Sequence, residues 1–282
     1  MKSLRKAVAW ASTVSALSFA GAATAAPFSF STGDPDGLMA TGSRPSSSGK
    51  IEVESADDFI LGNHTQITGA SFTGLLTGSA TPANVGSVVV EIYRVFPFDS
   101  TVPPSGHVPT RDNSPADVAL DSRESGSGLN YTTAVLSPSF TAANSVLNGI
   151  HALPNQLTGG EGAVSGQEVR FNVTFATPFD LAAGQYFFVP QVEVGNGEFM
   201  WLSAPKPISG GTGPFTPDLQ TWVRDENLAP DWLRVGTDIT AQGPFNASFS
   251  LDGVTAAVPE PGSYALLLAG LAVVCTMKRR RA

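Results

Sequence analysis

Glu168-Val169-Arg170-Phe171-Asn172-Val173-Thr174-Phe175 alternates without a fault. In an extended chain Val169, Phe171, Val173 and Phe175 fall on one side, and Arg170, Asn172 and Thr174 on the other. A 3.6-residue period would scatter the same apolar positions around a helix, so the stretch reads as a strand buried on one face. Phe245–Leu251 repeats the pattern, with Phe245, Ala247, Phe249 and Leu251 inward and Asn246, Ser248 and Ser250 outward.

Working outward, more strands follow. Gln185–Val194 is aromatic and β-branched, and Gly195-Asn196-Gly197 predicts a tight hairpin from it into Phe199–Leu202. Ser87–Phe96 has the β-branched and aromatic density of a central strand covered on both faces, with Glu91 and Arg94 near an exposed end. Ala56–Leu61 and Gln66–Leu76 supply two more, and Phe28-Ser29-Phe30 a short first one. Residues 97–138 carry Pro97, Pro103, Pro104, Pro109, Pro115 and Pro138 and read as a long surface excursion, with one short strand near Tyr131–Leu136. Phe140–Leu147 fits a helical turn or a strand equally well. Gly (29) and Pro (21) are abundant, charged residues make up only 14%, and no fixed-period repeat is present. Short, irregularly spaced strands without helical crossovers predict an all-β fold, a single β-sandwich of jelly-roll kind over residues 26–256.

Charge narrows the partners of that domain. Nine of the 16 Lys and Arg but 23 of the 24 Asp and Glu lie in residues 26–256, a formal charge of −14. Such a surface repels phosphate backbones, which argues against nucleic acid as a partner. The single cysteine, Cys275, lies beyond residue 256, so the domain has no disulfide and no thiolate metal ligand.

The two ends are sorting devices. Lys2, Arg5 and Lys6, the apolar run Ala7–Ala20 and the small residues Ala23-Thr24-Ala25 make residues 1–25 a cleavable secretory leader, expected to be helical. At the other end, residues 257–282 combine Val258-Pro259-Glu260-Pro261, an apolar run Tyr264–Met277 and the basic cluster Lys278-Arg279-Arg280-Arg281. The run has 14 residues. That is short against the ~20 needed to span a bilayer, unless counted from Val258. The basic cluster would hold a transmembrane helix with its tail in the cytoplasm. This terminus closely resembles the PEP-CTERM sorting signal of Gram-negative bacteria that make exopolysaccharide. The resemblance implies an exosortase acting near Pro259, Glu260 and Pro261, after translocon and signal peptidase. It further implies anchoring in the inner membrane before delivery to the cell surface or extracellular matrix, and it is silent about the domain's activity.

Candidate chemistry in the domain is sparse. No G-x-S-x-G elbow exists, and His64, His107 and His151 are scattered. Calcium is the one cation with candidate ligands, namely Asp34 and Asp36 in the Asp34-Pro35-Asp36-Gly37 turn and the pair Asp57 and Asp58. Trp201, Trp222 and Trp232 form an aromatic neighbourhood among charged residues and are candidates for stacking on sugar rings. Four N-x-S/T sequons, at Asn63, Asn130, Asn172 and Asn246, serve as markers of surface positions. The leading expectation is a non-catalytic structural or interaction protein without a cofactor. A carbohydrate-binding module is the alternative, and a glycan hydrolase or lyase comes third.

Overall fold

The computed structural model describes residues 25–47, 49–102, 106–150, 157–205, 219–256 and 270–271. Strands in chain order are β1 (Ala26–Ser31), β2 (Met39–Gly42), β3 (Val53–Leu61), β4 (Thr65–Thr77) and β5 (Val85–Arg94). Then come β6 (Asp121–Glu124), β7 (Leu129–Ala142), β8 (Asn144–Val146), β9 (Val164–Leu181) and β10 (Gly184–Val194). The last are β11 (Phe199–Ala204), β12 (Trp222–Asp225), β13 (Leu233–Arg234), β14 (Asn246–Ala247) and β15 (Phe249–Thr255). Residues Ala26–Ala256 form one compact all-β unit.

The strands make two sheets. β4 is the axis of the larger one: β9 pairs along its whole length on one side, while β15 and then β11 share the other. β1 extends the sheet beyond β15, β2 and β8 extend it beyond β11, and β7 closes it beyond β9. The smaller sheet has the order β13-β12-β3-β10-β5-β6.

The alternation that opens the sequence becomes β9. Val169, Phe171, Val173 and Phe175 are buried, while Asn172 and Thr174 are exposed. Four residues of β9, 175–178, sit opposite the single Thr68 of β4, three more than an even ladder would place there. This bulge brings both Phe175 and Phe179 to the core, 4.8 Å apart edge to face. Facing them from the smaller sheet are Phe59, Val88, Val90, Ile92 and Phe188. Phe72 stacks on Phe171 at 5.0 Å and Phe188 on Phe249 at 5.1 Å, with Phe72 and Phe188 themselves 6.2 Å apart, so rings of both sheets interlock.

The smaller sheet is buried on its second face as well. Ala56, Tyr93, Phe187, Val189, Leu219, Trp222 and Trp232 form a separate apolar cluster there. That explains why Phe187 and Phe188, neighbours in sequence, are both fully buried. The larger sheet is covered outside only in part, by a cluster of Ala40, Leu75, Ala142, Met200 and Leu202.

Several expectations need correction. The excursion over 97–138 contains β6 and most of β7, and β7 is a 14-residue strand rather than a short one. Its sequence shows only the part near Tyr131–Leu136 because it is an edge strand, paired among the described residues only with β9, and shifts of register near Val135, Ser137 and Phe140 break its period. Pro138 fits there because an edge strand tolerates an absent N–H. Phe140–Leu147 resolves as strand, continuing β7 into β8. Gly195–Gly197 does not make a β-hairpin, since β10 and β11 lie in different sheets. The turn is held instead by Thr77, whose N–H donates to the Glu198 carbonyl and whose Oγ1 accepts the Glu198 N–H. Phe245–Leu251 splits into β14 and β15, and Asn246 and Ser248 are buried rather than outward. Glu91 lies in mid-strand against other carboxylates, not at an exposed end. The expected signal helix of residues 1–25, Ala25 apart, and the expected transmembrane helix lie outside the described residues, except for Gly270 and Leu271. Among the described residues no helix is long and apolar enough to cross a membrane.

Every described strand and all four apolar clusters lie within Ala26–Ala256, so residues 26–256 produced alone are expected to unfold in one cooperative transition in urea. Phe72→Ala, which removes a ring in contact with Phe171, Phe188 and Phe199, is expected to cost about 3–5 kcal/mol in the same titration.

Candidate functional site

The uncovered half of the larger sheet carries a polar groove of about 220 Å³. Ser31, Ser71 and Ser250 line it, and strand register continues their row beyond the groove to Asn172 and Thr132. Ser31 of β1 pairs with Ser250 of β15, Ser250 with Ser71 of β4, Ser71 with Asn172 of β9, and Asn172 with Thr132 of β7. Directly paired residues share a face, so these five polar side chains form one row across five strands on the side opposite Phe72, Phe171 and Leu251. Next to the row lie Thr73, paired with Arg170, and Ser248, whose carbonyl accepts the Thr73 N–H.

The segment after β1 makes a wall. Thr32 is buried and its Oγ1 donates to the Ala247 carbonyl at 2.6 Å. Gly33 then turns with φ +109°, a conformation that an L side chain would strain, and lifts Asp34 over the sheet. The Gly33 carbonyl accepts Ser248 Oγ at 2.8 Å, and Asp34 Oδ1 accepts Arg170 Nη2 at 2.8 Å. Ser71 and Ser250 hydroxyls lie 2.8 Å apart. Buried beside this ion pair is Glu168, whose pKa is raised by burial and by Asp34 and drawn back by Arg170.

A second polar assembly sits inside the cover of the smaller sheet. Arg224 of β12 pairs with Glu54 of β3, and both are buried. Tyr93 of β5 donates its hydroxyl to Glu54 Oε1 at 2.7 Å and accepts Arg224 Nη2 at 2.9 Å. The guanidinium also lies 4.3 Å from the Trp232 ring centroid. Glu91 Oε2 is 3.0 Å from the Tyr93 hydroxyl. Burial, and then the Glu54 carboxylate, push the Glu91 carboxyl up to about 7. Burial also raises the Tyr93 phenol and Glu52, the latter with help from Glu54. Nearby, Arg111 is buried between Asp117 and Asp231, with Nε 3.3 Å from Asp231 Oδ1. Each guanidinium ties a covering segment to the sheet or to another segment, which is a bracing role.

The residues singled out in the sequence fall differently. Trp201, Trp222 and Trp232 are at most 2% exposed, so none offers a ring face to a sugar. Trp201 sits in the intersheet core with its indole N–H on the Ser248 carbonyl, and Trp232 donates to the Ala116 carbonyl. Charged sequence neighbours do not mark these rings as exposed, because Arg224 is itself buried against Trp232. Nor does the structure bring the four aspartates together. Asp34 holds Arg170, and Asp36 accepts the Leu38 N–H at 2.9 Å. Asp57 accepts the Ala247 N–H at 2.7 Å, and Asp58 accepts the Leu219 N–H at 2.7 Å and Gln185 Nε2 at 2.8 Å. Among the described residues no three His, Cys, Asp or Glu are grouped to hold a metal ion. Of the sequon residues, Asn63, Asn130 and Asn172 are exposed and Asn246 is buried. The row of hydroxyls went unread because Ser and Thr are everywhere in the chain, and only register shows which of them align.

Residues 257–281 match the model of the PEP-CTERM protein-sorting motif. The chain carries a PEP-CTERM sorting signal. It is therefore directed to an exosortase as an exported surface protein. Pro259, Glu260, Pro261 and the cluster Lys278, Arg279, Arg280 and Arg281 fall within the match and outside the described residues. Among curated proteins none shows significant similarity to the chain.

Two measurements test the site assignments. Glu91 keeps a proton in the folded domain up to about pH 7 that the unfolded chain releases near 4.5, so stability falls as pH rises through that window and stays reduced above it. Glu91→Gln is expected to remove this dependence, gaining about 2–3 kcal/mol over the parent at pH 8 and little at pH 4.5 in urea titrations. In residues 26–256 the three buried indoles are expected to emit at short wavelength and to resist acrylamide quenching. Ready quenching of the native domain would contradict their burial.

Proposed function

We propose that this protein is an exported, exosortase-processed structural or interaction protein of the cell surface or exopolysaccharide matrix, and that its domain is non-catalytic. Residues 1–25 serve translocon and signal peptidase and are removed. Residues 26–256 are the cargo, a β-sandwich of jelly-roll kind. Residues 257–282 are the handle, a helix held in the inner membrane by the stop Lys278–Arg281 until an exosortase acts near Pro259-Glu260-Pro261. The observation that carries this reading is the sorting motif at 257–281.

The domain's chemistry supports the non-catalytic part. Several of its buried carboxylates are engaged as braces: Glu54 by Arg224 and Tyr93, Asp117 by Arg111, and Asp58 by Leu219 and Gln185. Glycoside cleavage needs an acid and a base opposed across a substrate cleft. Glu54 and Glu91 flank a tyrosine hydroxyl instead. The second reading, a carbohydrate-binding module, is favoured by the groove on the larger sheet and not by tryptophans.

Cell fractionation with and without the exosortase tests the proposal. The protein is expected in the extracellular or surface fraction without its C-terminal segment when the exosortase is present. Without the enzyme, or with Pro259, Glu260 and Pro261 all changed to alanine, it is expected to stay in the membrane fraction. Mass-spectrometric recovery of an extracellular form that retains Lys278–Arg281 would refute it.

A further inference from the structure

We propose that the groove on the open half of the larger sheet binds a neutral polysaccharide, laid across the strands along Ser31, Ser250 and Ser71 and leaving the groove over the exposed Asn172 and Thr132. The inference deepens the reading of the domain as a non-catalytic surface module and rests on it.

Three observations select this ligand class. The first is spacing. Adjacent strands lie about 4.8 Å apart, so the row offers one polar group per strand at a repeat comparable to the rise of a pyranose unit in an extended chain. The second is hydrogen-bonding character. Hydroxyls and primary amides both donate and accept, as do sugar hydroxyls. Ser71 and Ser250 share one bond between them, leaving a proton and lone pairs over. Asn172 and Thr132 point to solvent. The third is charge. Arg170 and Asp34 are the charged groups lining the groove and neutralise each other at 2.8 Å. The domain around them carries −14. A polyanion would meet repulsion without a free cation to receive it, whereas an uncharged polyol loses nothing.

The wall sets how the chain lies. Asp34 stands over the sheet at the end of the Gly33 turn and holds Arg170, whose Nε points to Thr73 Oγ1 at 3.5 Å. The polymer is thereby confined to the Ser71–Ser250 side and runs out over Asn172 and Thr132. The groove residues Phe72 and Phe249 are buried and turned to the core, so stacking contributes nothing and each sugar is held by hydrogen bonds alone. Binding of a monosaccharide is weak in consequence, and a polymer gains by occupying successive positions and by re-engaging before it departs.

The test is native electrophoresis of residues 26–256 in gels containing dextran, a soluble β-1,3-glucan or a galactomannan, with alginate as the anionic arm. Retardation by at least one neutral polymer and not by alginate is expected. The exposed double variant Thr132→Ala/Asn172→Ala, and separately Ser250→Ala, are expected to weaken that retardation at least tenfold, with Glu124→Gln on the other sheet unchanged. Each variant's melting curve shows that it is folded. No retardation by any neutral polymer, retardation by alginate alone, or parental binding by both groove variants would overturn the proposal. Light scattering of the polymer after incubation separates the two readings. Shortened polymer would sink the non-catalytic reading while leaving the groove occupied, and intact polymer without retardation would sink the groove alone.

Discussion

Everything in this domain depends on the contact between Phe72, Phe171, Phe188 and Phe249. Two offset stacks, Phe72 on Phe171 and Phe188 on Phe249, meet where Phe72 and Phe188 approach across the intersheet gap. Without a disulfide in the domain, burial between the sheets is the main force that closes the two halves. Each ring also fixes register, because a one-residue slip of β4, β9 or β15 would turn it to solvent. The row of Ser250, Ser71 and Asn172 on the outer face is the other side of that requirement: each is the sequence neighbour of a core residue, Leu251, Phe72 and Phe171. The groove is thus aligned by the same force that builds the core.

The second constraint is charge. A domain of −14 must bury or separate its carboxylates, and it has nine cations with which to do so. Arg44, Arg111 and Arg224 are each buried beside an acid. Removing one partner of such a pair strands the other in low dielectric, at a cost of about 3–5 kcal/mol. Arg fits this use better than Lys because its planar fork holds several acceptors at once, as Arg224 does with Glu54, Tyr93 and the Asp117 carbonyl. Glu91 is left over from this pairing, and a raised carboxyl is the consequence.

How much was legible in the sequence follows from the same physics. β9 and β15 were readable because one face is core and the other solvent, which writes a period of two. β10 and β5 were readable from density alone, since their sheet is covered on both faces. β7 was readable only near Tyr131–Leu136: an edge strand buries little, and its two register shifts break the alternation. The Gly195–Gly197 turn has the composition of a hairpin, yet composition cannot say whether the next strand pairs with the last or crosses to the opposite sheet. The tryptophans failed for a related reason. Polar sequence neighbours signal an exposed ring only where the neighbours are exposed, and Arg224 is not. Alignment of Ser31, Ser250, Ser71, Asn172 and Thr132 joins residues up to 219 positions apart and exists only once register is set.

The sorting signal and the domain obey different rules. A signal read by an enzyme and a bilayer has to survive in linear form, as a Pro-Glu-Pro entrance, an apolar run and a basic stop, and it was legible at sight. A binding face needs side chains from distant strands and leaves no linear trace. Cys275 and the four terminal cations lie within the sorting signal and apart from the domain of residues 26–256. The domain of residues 26–256 is acidic, buries its three tryptophans and carries a hydroxyl-lined groove on its larger sheet. Recognition at that groove, as proposed, runs by hydrogen-bond pattern over several repeats rather than by one strong contact, which suits a polymer better than a small molecule.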